Sequence, residues 1–232
     1  MLLHSLFSGT DFSQILINLL ISIPAAVIAI TFHELSHGLM AYWLGDPTAK
    51  YMGRLTANPA AHFDLLGTLC MILVGFGWAK PVPFDPRYFK RKKLDTALVA
   101  LAGPLMNLLI AFLAFIIWFS GMLFAGSSQP EGAVGTIVSI ALQMVQMIYI
   151  FNLSLMLFNL VPIPPLDGSK VLFSFLPARA FNFILQYERY GGIILLIVLF
   201  LGLLDWPLNW LLNLINTGFF NLAYAVIGLF IS

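Results

Sequence analysis

Residues 12–44 read FSQILINLLISIPAAVIAITFHELSHGLMAYWL, an apolar stretch whose only acid is Glu34 and which contains no lysine or arginine. A helix needs about 20 mostly apolar residues to cross a bilayer. The stretch therefore predicts a transmembrane helix that carries three ionisable side chains, His33, Glu34 and His37. It is interpreted as a retained span rather than a signal peptide, because residues 1–32 have no basic n-region and no small-residue cleavage site.

The remainder of the chain also has the composition of an integral membrane protein. Of its 232 residues, 60% are hydrophobic and only 9% are charged, and the mean hydropathy is +0.95. Soluble domains carry about 25% charged residues. The net charge of +1 argues against a nucleic-acid-binding protein, and the single cysteine, Cys70, excludes an internal disulfide framework.

Further apolar stretches complete the predicted fold. Three are long enough to span, at roughly 96–123, 137–161 and 206–230, and a fourth at 190–204 becomes long enough if its helix begins near Phe181. The short, glycine-rich 65–79 suits a re-entrant or β-hairpin-like segment, which must be buried in protein or line a cavity. We expect an all-α polytopic membrane protein with about five to six transmembrane helices. Its single domain, 1–232, would comprise a catalytic core at about 12–168 and accessory helices at about 181–230.

The basic residues predict the orientation of these spans. Segment 80–95 holds six of the eleven lysines and arginines, and 162–190 holds three more, whereas 124–136 holds none. Because short cytoplasmic loops are enriched in these residues, 80–95 and 162–190 are expected to face the cytoplasm and 124–136 the outside.

His33-Glu34-Leu35-Ser36-His37 has the spacing of a metal site on a helix. Side chains at i and i+4 lie on one face, so the two imidazoles can bind one ion, while Glu34 is offset by about 100° and can reach a metal-bound water. Ionisable groups at membrane depth are costly and usually functional. The pattern indicates zinc with two histidine ligands and a glutamate general base.

A catalytic zinc usually takes a third protein ligand, for which Asp167 is the strongest candidate. It follows an apolar span in the sequence NLVPIPPLDG, residues 159–168. A capping or turn aspartate is an equally good interpretation of an Asp-Gly pair. His4, His62 and Cys70 are weaker candidates, and for His62 a loop-stabilising role is favoured. If Asp167 is the ligand, residues 46–95 make no net crossing of the membrane.

With these two motifs the sequence resembles the site-2 protease family of intramembrane metalloproteases, in a short form without an inserted peptide-binding or nucleotide-sensing domain. Supporting stretches are Gly45–Ala49, Gly53–Thr56, His62–Asp64, Gly77–Pro83 and Ala102–Asn107. The resemblance implies one zinc ion held by His33, His37 and Asp167, with Glu34 as the general base. It also implies that Asn159 helps to hold the substrate, although a helix-packing asparagine is the alternative.

The predicted function is zinc-dependent cleavage of transmembrane segments of membrane proteins, in a multi-pass protein of the cell membrane with its active site toward the cytoplasm. Membrane lipid, a transmembrane substrate and a regulatory membrane protein are the expected partners, and nucleic acid is not. A zinc transporter and an inactive helix-binding relative are the alternatives. Within 46–64, Tyr51–Thr56 is expected to offer an edge strand to the substrate, and Gly103-Pro104 and Asn107 are expected to shape helix packing.

Overall fold

The computed structural model describes residues 12–64, 66–67, 70, 79–177 and 190–231. Within these residues the chain is mainly helical, and its β-pairing is limited to an isolated antiparallel bridge between Phe63 and Ala79. The fold class expected from the sequence, an all-α polytopic membrane protein, is confirmed.

Four helices have the length and composition needed to cross a membrane. They are α1 (Phe12–Trp43), α3 (Lys92–Ser128), α4 (Gly132–Asn159) and α7 (Asp205–Ile231). The shorter helices are α2 (Thr48–Tyr51), α5 (Asp167–Ser174) and α6 (Tyr190–Phe200), with 3-10 turns at Pro59–Ala61 and Pro86–Tyr88. The four long helices correspond to the four longest spans predicted from the sequence. Most of the predicted 65–79 segment, and the predicted helix start near Phe181, lie outside the described residues.

The cytoplasmic-type segment between α1 and α3 returns to the end of the bundle from which it leaves. Ala41 near the end of α1, Phe89 and Val99 near the start of α3 pack together in one buried cluster. The ends of α1 and α4 also lie on the same side, because His33 in α1 contacts Asp167 just after α4. The two helices therefore run in the same direction and α3 runs against them, as expected for no net crossing by residues 46–95.

Aromatic side chains hold α3, α4 and α7 together. Phe115 of α3 is 1% exposed and contacts Tyr149 of α4 and Phe219 and Phe220 of α7, with ring centroids 5.1–5.5 Å apart. Side chains gain little from simple burial in lipid, so close packing is the main source of attraction between spans. This core leaves the face of α1 that carries His33 and His37 to contact α3.

The predicted edge strand at Tyr51–Thr56 is wrong. Tyr51 ends helix α2, Gly53 has a left-handed backbone (φ +66°), and Arg54 N–H donates to Ala49 O at 2.8 Å. Glycine adopts this conformation without steric cost, which makes it a common residue just after a helix. The alternation of residue types across 51–56 is thus used to end a helix, and the extended chain in this region is 79–85 instead.

Candidate metal centre

Helix α1 places His33 and His37 one turn apart on the same face. Their rings meet edge to face with centroids 4.6 Å apart, and both residues are buried. The Nε2 atoms of the two imidazoles lie 3.0 Å from each other. This is the arrangement that the i, i+4 spacing predicted.

Asp167 completes a cluster of three ligand-type atoms. It is the first residue of α5, following the proline-rich turn after α4, and its Oδ2 lies 3.1 Å from Nε2 of both histidines. Among the described residues, these three form the group of histidine, cysteine or acidic side chains suited to holding a metal ion. The structure therefore brings together the three residues that the sequence singled out.

The outer nitrogens of the two imidazoles show where their hydrogens lie. Nδ1 of His37 is 2.7 Å from Val99 O, and Nδ1 of His33 is 2.5 Å from Asn107 Oδ1. Both oxygens are acceptors, so each Nδ1 carries the hydrogen and each neutral ring presents the lone pair of Nε2 to Asp167.

Three lone pairs thus converge with no hydrogen of their own between them. Their spacings of 3.0–3.1 Å are close to the roughly 3.3 Å edge of a tetrahedron around zinc with ligands at about 2.0–2.1 Å. Three protein ligands that leave a fourth position open are the usual set of a catalytic zinc. The residues present fit this ion.

The carboxyl group of Asp167 is ionised in this setting. Burial alone would raise its pKa, but the neighbouring imidazoles of His37 and His33 hold the pKa of Asp167 below its usual range. Lys170, one turn further along α5, adds a cation 3.7 Å from Oδ1. An ionised carboxylate is the form that binds a metal.

Gly103 of α3 lies directly against the two imidazoles. A Cβ atom at this position would be 2.5 Å from Nε2 of His37 and 2.7 Å from Cε1 of His33, closer than van der Waals contact permits. The absence of a side chain allows α3 to pack against the ligand face of α1. Gly103 had been expected to shape helix packing, and here it does so at the metal centre itself.

Glu34 is held beside the histidines by the extended segment Ala79–Asp85, which we call the strap. The N–H of Val82 donates to Glu34 Oε2 at 2.8 Å. Arg54, itself buried, donates from Nη2 to Lys80 O and Pro81 O, and Lys80 N–H donates to His62 O. One carboxylate oxygen of Glu34 is therefore fixed by backbone that Arg54 and His62 hold in place.

A cavity of about 820 Å³ opens next to His33 and Glu34. Its walls come from α1, α4 and α7 and are mainly apolar, with Phe151, Leu155 and Leu208 among the lining residues. Asn159 lines the same cavity, and its Nδ2 donates to Leu155 O at 3.0 Å. The position of Asn159 is compatible with both roles considered from the sequence, substrate contact and helix packing.

The other candidates for a third ligand lie elsewhere. His62 is fully buried, and its Nε2 pairs with Thr56 O at 2.8 Å, consistent with the loop-stabilising role favoured from the sequence. Cys70 is a free cysteine outside the three-residue cluster, and His4 lies outside the described residues. Sequence reasoning missed Asn107 as a partner of His33, and Arg54 as a support for the strap. The available signal for Asn107 was an amide in an otherwise apolar span.

Comparison with known proteins agrees with this geometry. The family model described as Peptidase family M50 matches residues 21–204. YwhC of Bacillus subtilis, named as a candidate zinc metalloprotease, is 39% identical over 176 residues, which cover 74% of this chain and 76% of that protein. MJ0611 of Methanocaldococcus jannaschii and Rip2 of Mycolicibacterium smegmatis carry the same kind of name. The first is 30% identical (72% of this chain, 75% of that protein) and the second 24% identical (85% and 69%).

No solved structure matches the chain significantly. The family match covers most of the chain and includes His33, Glu34, His37 and Asp167. The similarity to YwhC extends over about three quarters of both proteins. The chain therefore belongs to peptidase family M50, the site-2 protease family of zinc metalloendopeptidases.

Proposed function

We propose that this protein is an intramembrane endopeptidase that cuts transmembrane segments of other membrane proteins, using one zinc ion held by His33, His37 and Asp167. The observation that carries the proposal is the convergence of three metal-binding atoms, 3.0–3.1 Å apart. They lie on a helix of membrane-spanning length, with the carboxylate of Glu34 beside them and a cavity in front.

The residues of the chain divide the work between them. When bound, zinc would polarise the scissile carbonyl and acidify the attacking water. Glu34 accepts the proton of that water and delivers it to the leaving amine, so it acts first as general base and then as general acid. The Val82 N–H bond to Oε2 leaves the other carboxylate oxygen, Oε1, for this transfer.

The cavity suits a stretch of membrane helix that has been locally unwound. A transmembrane helix satisfies its peptide groups internally, so cleavage needs some of them released and supplied with new partners. The apolar walls from α4 and α7 would receive the side chains of such a segment. The amide of Asn159, on the same wall, would offer hydrogen bonds to its exposed backbone.

The basic residues support an active site toward the cytoplasmic side of the cell membrane. Arg87, Lys90, Arg91 and Lys92 are exposed in the segment that leads into α3, at the same end of the bundle as the metal cluster. The connection between α3 and α4, at the other end, contains no lysine or arginine. This charge asymmetry is the one expected when the metal-binding end faces the cytoplasm.

The proposal is tested with purified full-length protein in liposomes containing a transmembrane substrate. The Glu34→Gln variant keeps the size and a hydrogen-bond acceptor but loses the base. Its cleavage rate should fall at least about 100-fold, the usual contribution of a general base, while its zinc content stays unchanged. Glu131→Gln, an exposed acid before α4, is the matched control and should cleave normally.

A zinc transporter would behave differently in the same liposomes. It would move zinc across the bilayer, and the Glu34→Gln change would leave that flux intact. Cleavage that persists in Glu34→Gln rejects the assignment of the base. Zinc flux without any zinc-dependent cleavage rejects the peptidase proposal for this chain.

A further inference from the structure

We infer that Asn107 is a positioning residue for the metal centre, which fixes the ring orientation and tautomer of His33. The inference rests on the proposed function, because it takes His33 as a zinc ligand through Nε2. Asn107 lies on α3, is fully buried, and places Oδ1 2.5 Å from Nδ1 of His33. It does not touch the converging ligand atoms, so it acts through His33 alone.

The hydrogen-bond network leaves one orientation for the Asn107 amide. Its Nδ2 donates to Ala29 O in α1 at 3.1 Å and to Asn152 Oδ1 in α4 at 2.8 Å. Asn152 in turn donates from Nδ2 to Ile148 O at 2.8 Å. Because the chain of donors ends on backbone carbonyls, which cannot reverse their roles, Oδ1 of Asn107 must face His33 as an acceptor.

The two histidines are therefore oriented by different means. Nδ1 of His37 donates to the backbone oxygen of Val99, a partner that no side-chain substitution removes. Nδ1 of His33 depends on one side chain. A metal-binding imidazole commonly donates its second N–H to an oxygen that fixes its orientation and raises its basicity, and Asn107 supplies that oxygen.

Helix packing alone does not account for the placement of Asn107. The two bonds from Nδ2 already join α1, α3 and α4, and they would serve packing whatever Oδ1 met. A buried amide oxygen at membrane depth needs a donor, and the donor here is an imidazole of the metal cluster. The structure thus uses one asparagine for two purposes, which substitutions can separate.

Three variants of the full chain make this separation. Asn107→Leu keeps the volume and removes both functions of the amide. Asn107→Asp keeps an oxygen acceptor for His33 and removes the donor group that bonds to Ala29 and Asn152. Asn152→Leu breaks the bond between α3 and α4 and leaves Oδ1 of Asn107 in place.

The measurements are zinc affinity, by competition with a chelator in detergent, and the visible absorption spectrum of the cobalt-substituted protein. We expect Asn107→Leu to lower zinc affinity by about 10- to 100-fold, as is typical for partners of metal ligands, and to alter the cobalt spectrum. Asn107→Asp and Asn152→Leu should stay within a few-fold of the wild type. Thermal unfolding of the zinc-free proteins follows any loss of stability separately.

Two results would overturn the inference. One is an equal loss of zinc affinity in Asn107→Leu and Asn152→Leu, which would show that only helix packing matters. The other is an Asn107→Asp protein that folds but binds zinc as weakly as Asn107→Leu, or fails to bind it if Asn107→Leu does not fold. If the wild-type chain itself binds no zinc, the proposed function fails, and this outcome is distinct from both.

Discussion

At the scale of single residues, the metal centre depends on contacts so close that one methyl group would disturb them. The imidazole rings occupy the space where Gly103 lacks a side chain, and each ring is oriented from behind by an oxygen of α3, from Val99 or Asn107. Helix α3 therefore both makes room for the histidines and fixes their tautomers. Small changes on α3 should be felt first as weaker metal binding.

Gly103→Ala tests this close approach. The new Cβ would lie 2.5 Å from Nε2 of His37, so the ring or the helix must move, and zinc affinity should fall at least about 10-fold. Gly126→Ala, on the same helix, is the matched control, because a Cβ there meets nothing within 4 Å. Equal zinc affinities of the two variants, measured by chelator competition, would contradict the account.

The residue scale also shows what the sequence was able to reveal. His33, Glu34 and His37 were predictable because their spacing within one helix is itself the geometry. Asp167 could be only a candidate, because its approach to the histidines depends on how the proline-rich turn after α4 folds back. The link from Asn107 to His33 joins residues 74 positions apart, and no local pattern encodes it.

At the scale of elements, the strap is the part of the structure that sets the position of Glu34. It has one end bonded to Asp46, whose Oδ2 accepts from Asp85 N–H at 2.6 Å, and the other bonded to His62 and Arg54. Proline at 81 and 83 removes two backbone donors, so the Val82 N–H stands between two residues that have none. Its single donor is directed at Glu34.

Arg54→Met is predicted to slow cleavage without removing zinc. The change releases the carbonyls of Lys80 and Pro81 and loosens the backbone that positions Val82. A hydrogen bond to a charged group contributes about 1.5–3 kcal/mol, so we expect a loss of about 10-fold or more in cleavage rate.

Lys50→Met provides the control for Arg54→Met. It removes the same charge from the neighbouring helix α2, where Lys50 bonds only to Tyr42 on the surface. Zinc content and cleavage rate are measured on both proteins. Wild-type cleavage by Arg54→Met, or a loss of zinc from it, would show that the strap does not act through Glu34.

The elements themselves differed in how well the sequence predicted them. The long spans were predictable because an apolar run of this length has few alternatives to a transmembrane helix. Tyr51–Thr56 was mistaken for a strand because Gly53 and Arg54 end helix α2, a feature that depends on the left-handed backbone at Gly53. The strap was not predicted, since its two prolines resemble an ordinary loop.

At the scale of the whole molecule, the bundle brings chemistry from distant parts of the chain to one end. Helix α1 supplies His33, Glu34 and His37, and the turn after α4 supplies Asp167. The aromatic core around Phe115 fixes α4 and α7 against α3, which in turn contacts the ligand face of α1. Because α1 and α4 run in the same direction, their ends meet where the metal cluster lies.

The most direct test of this account is metal analysis of the purified full-length protein. Wild-type and Glu34→Gln proteins should each hold about one zinc per chain, because Glu34 is not a ligand. Asp167→Asn should lose most of it, since an amide replaces the ionised oxygen shared by both histidines. An Asp167→Asn protein that keeps the full amount of zinc would contradict the central claim that His33, His37 and Asp167 bind one ion together.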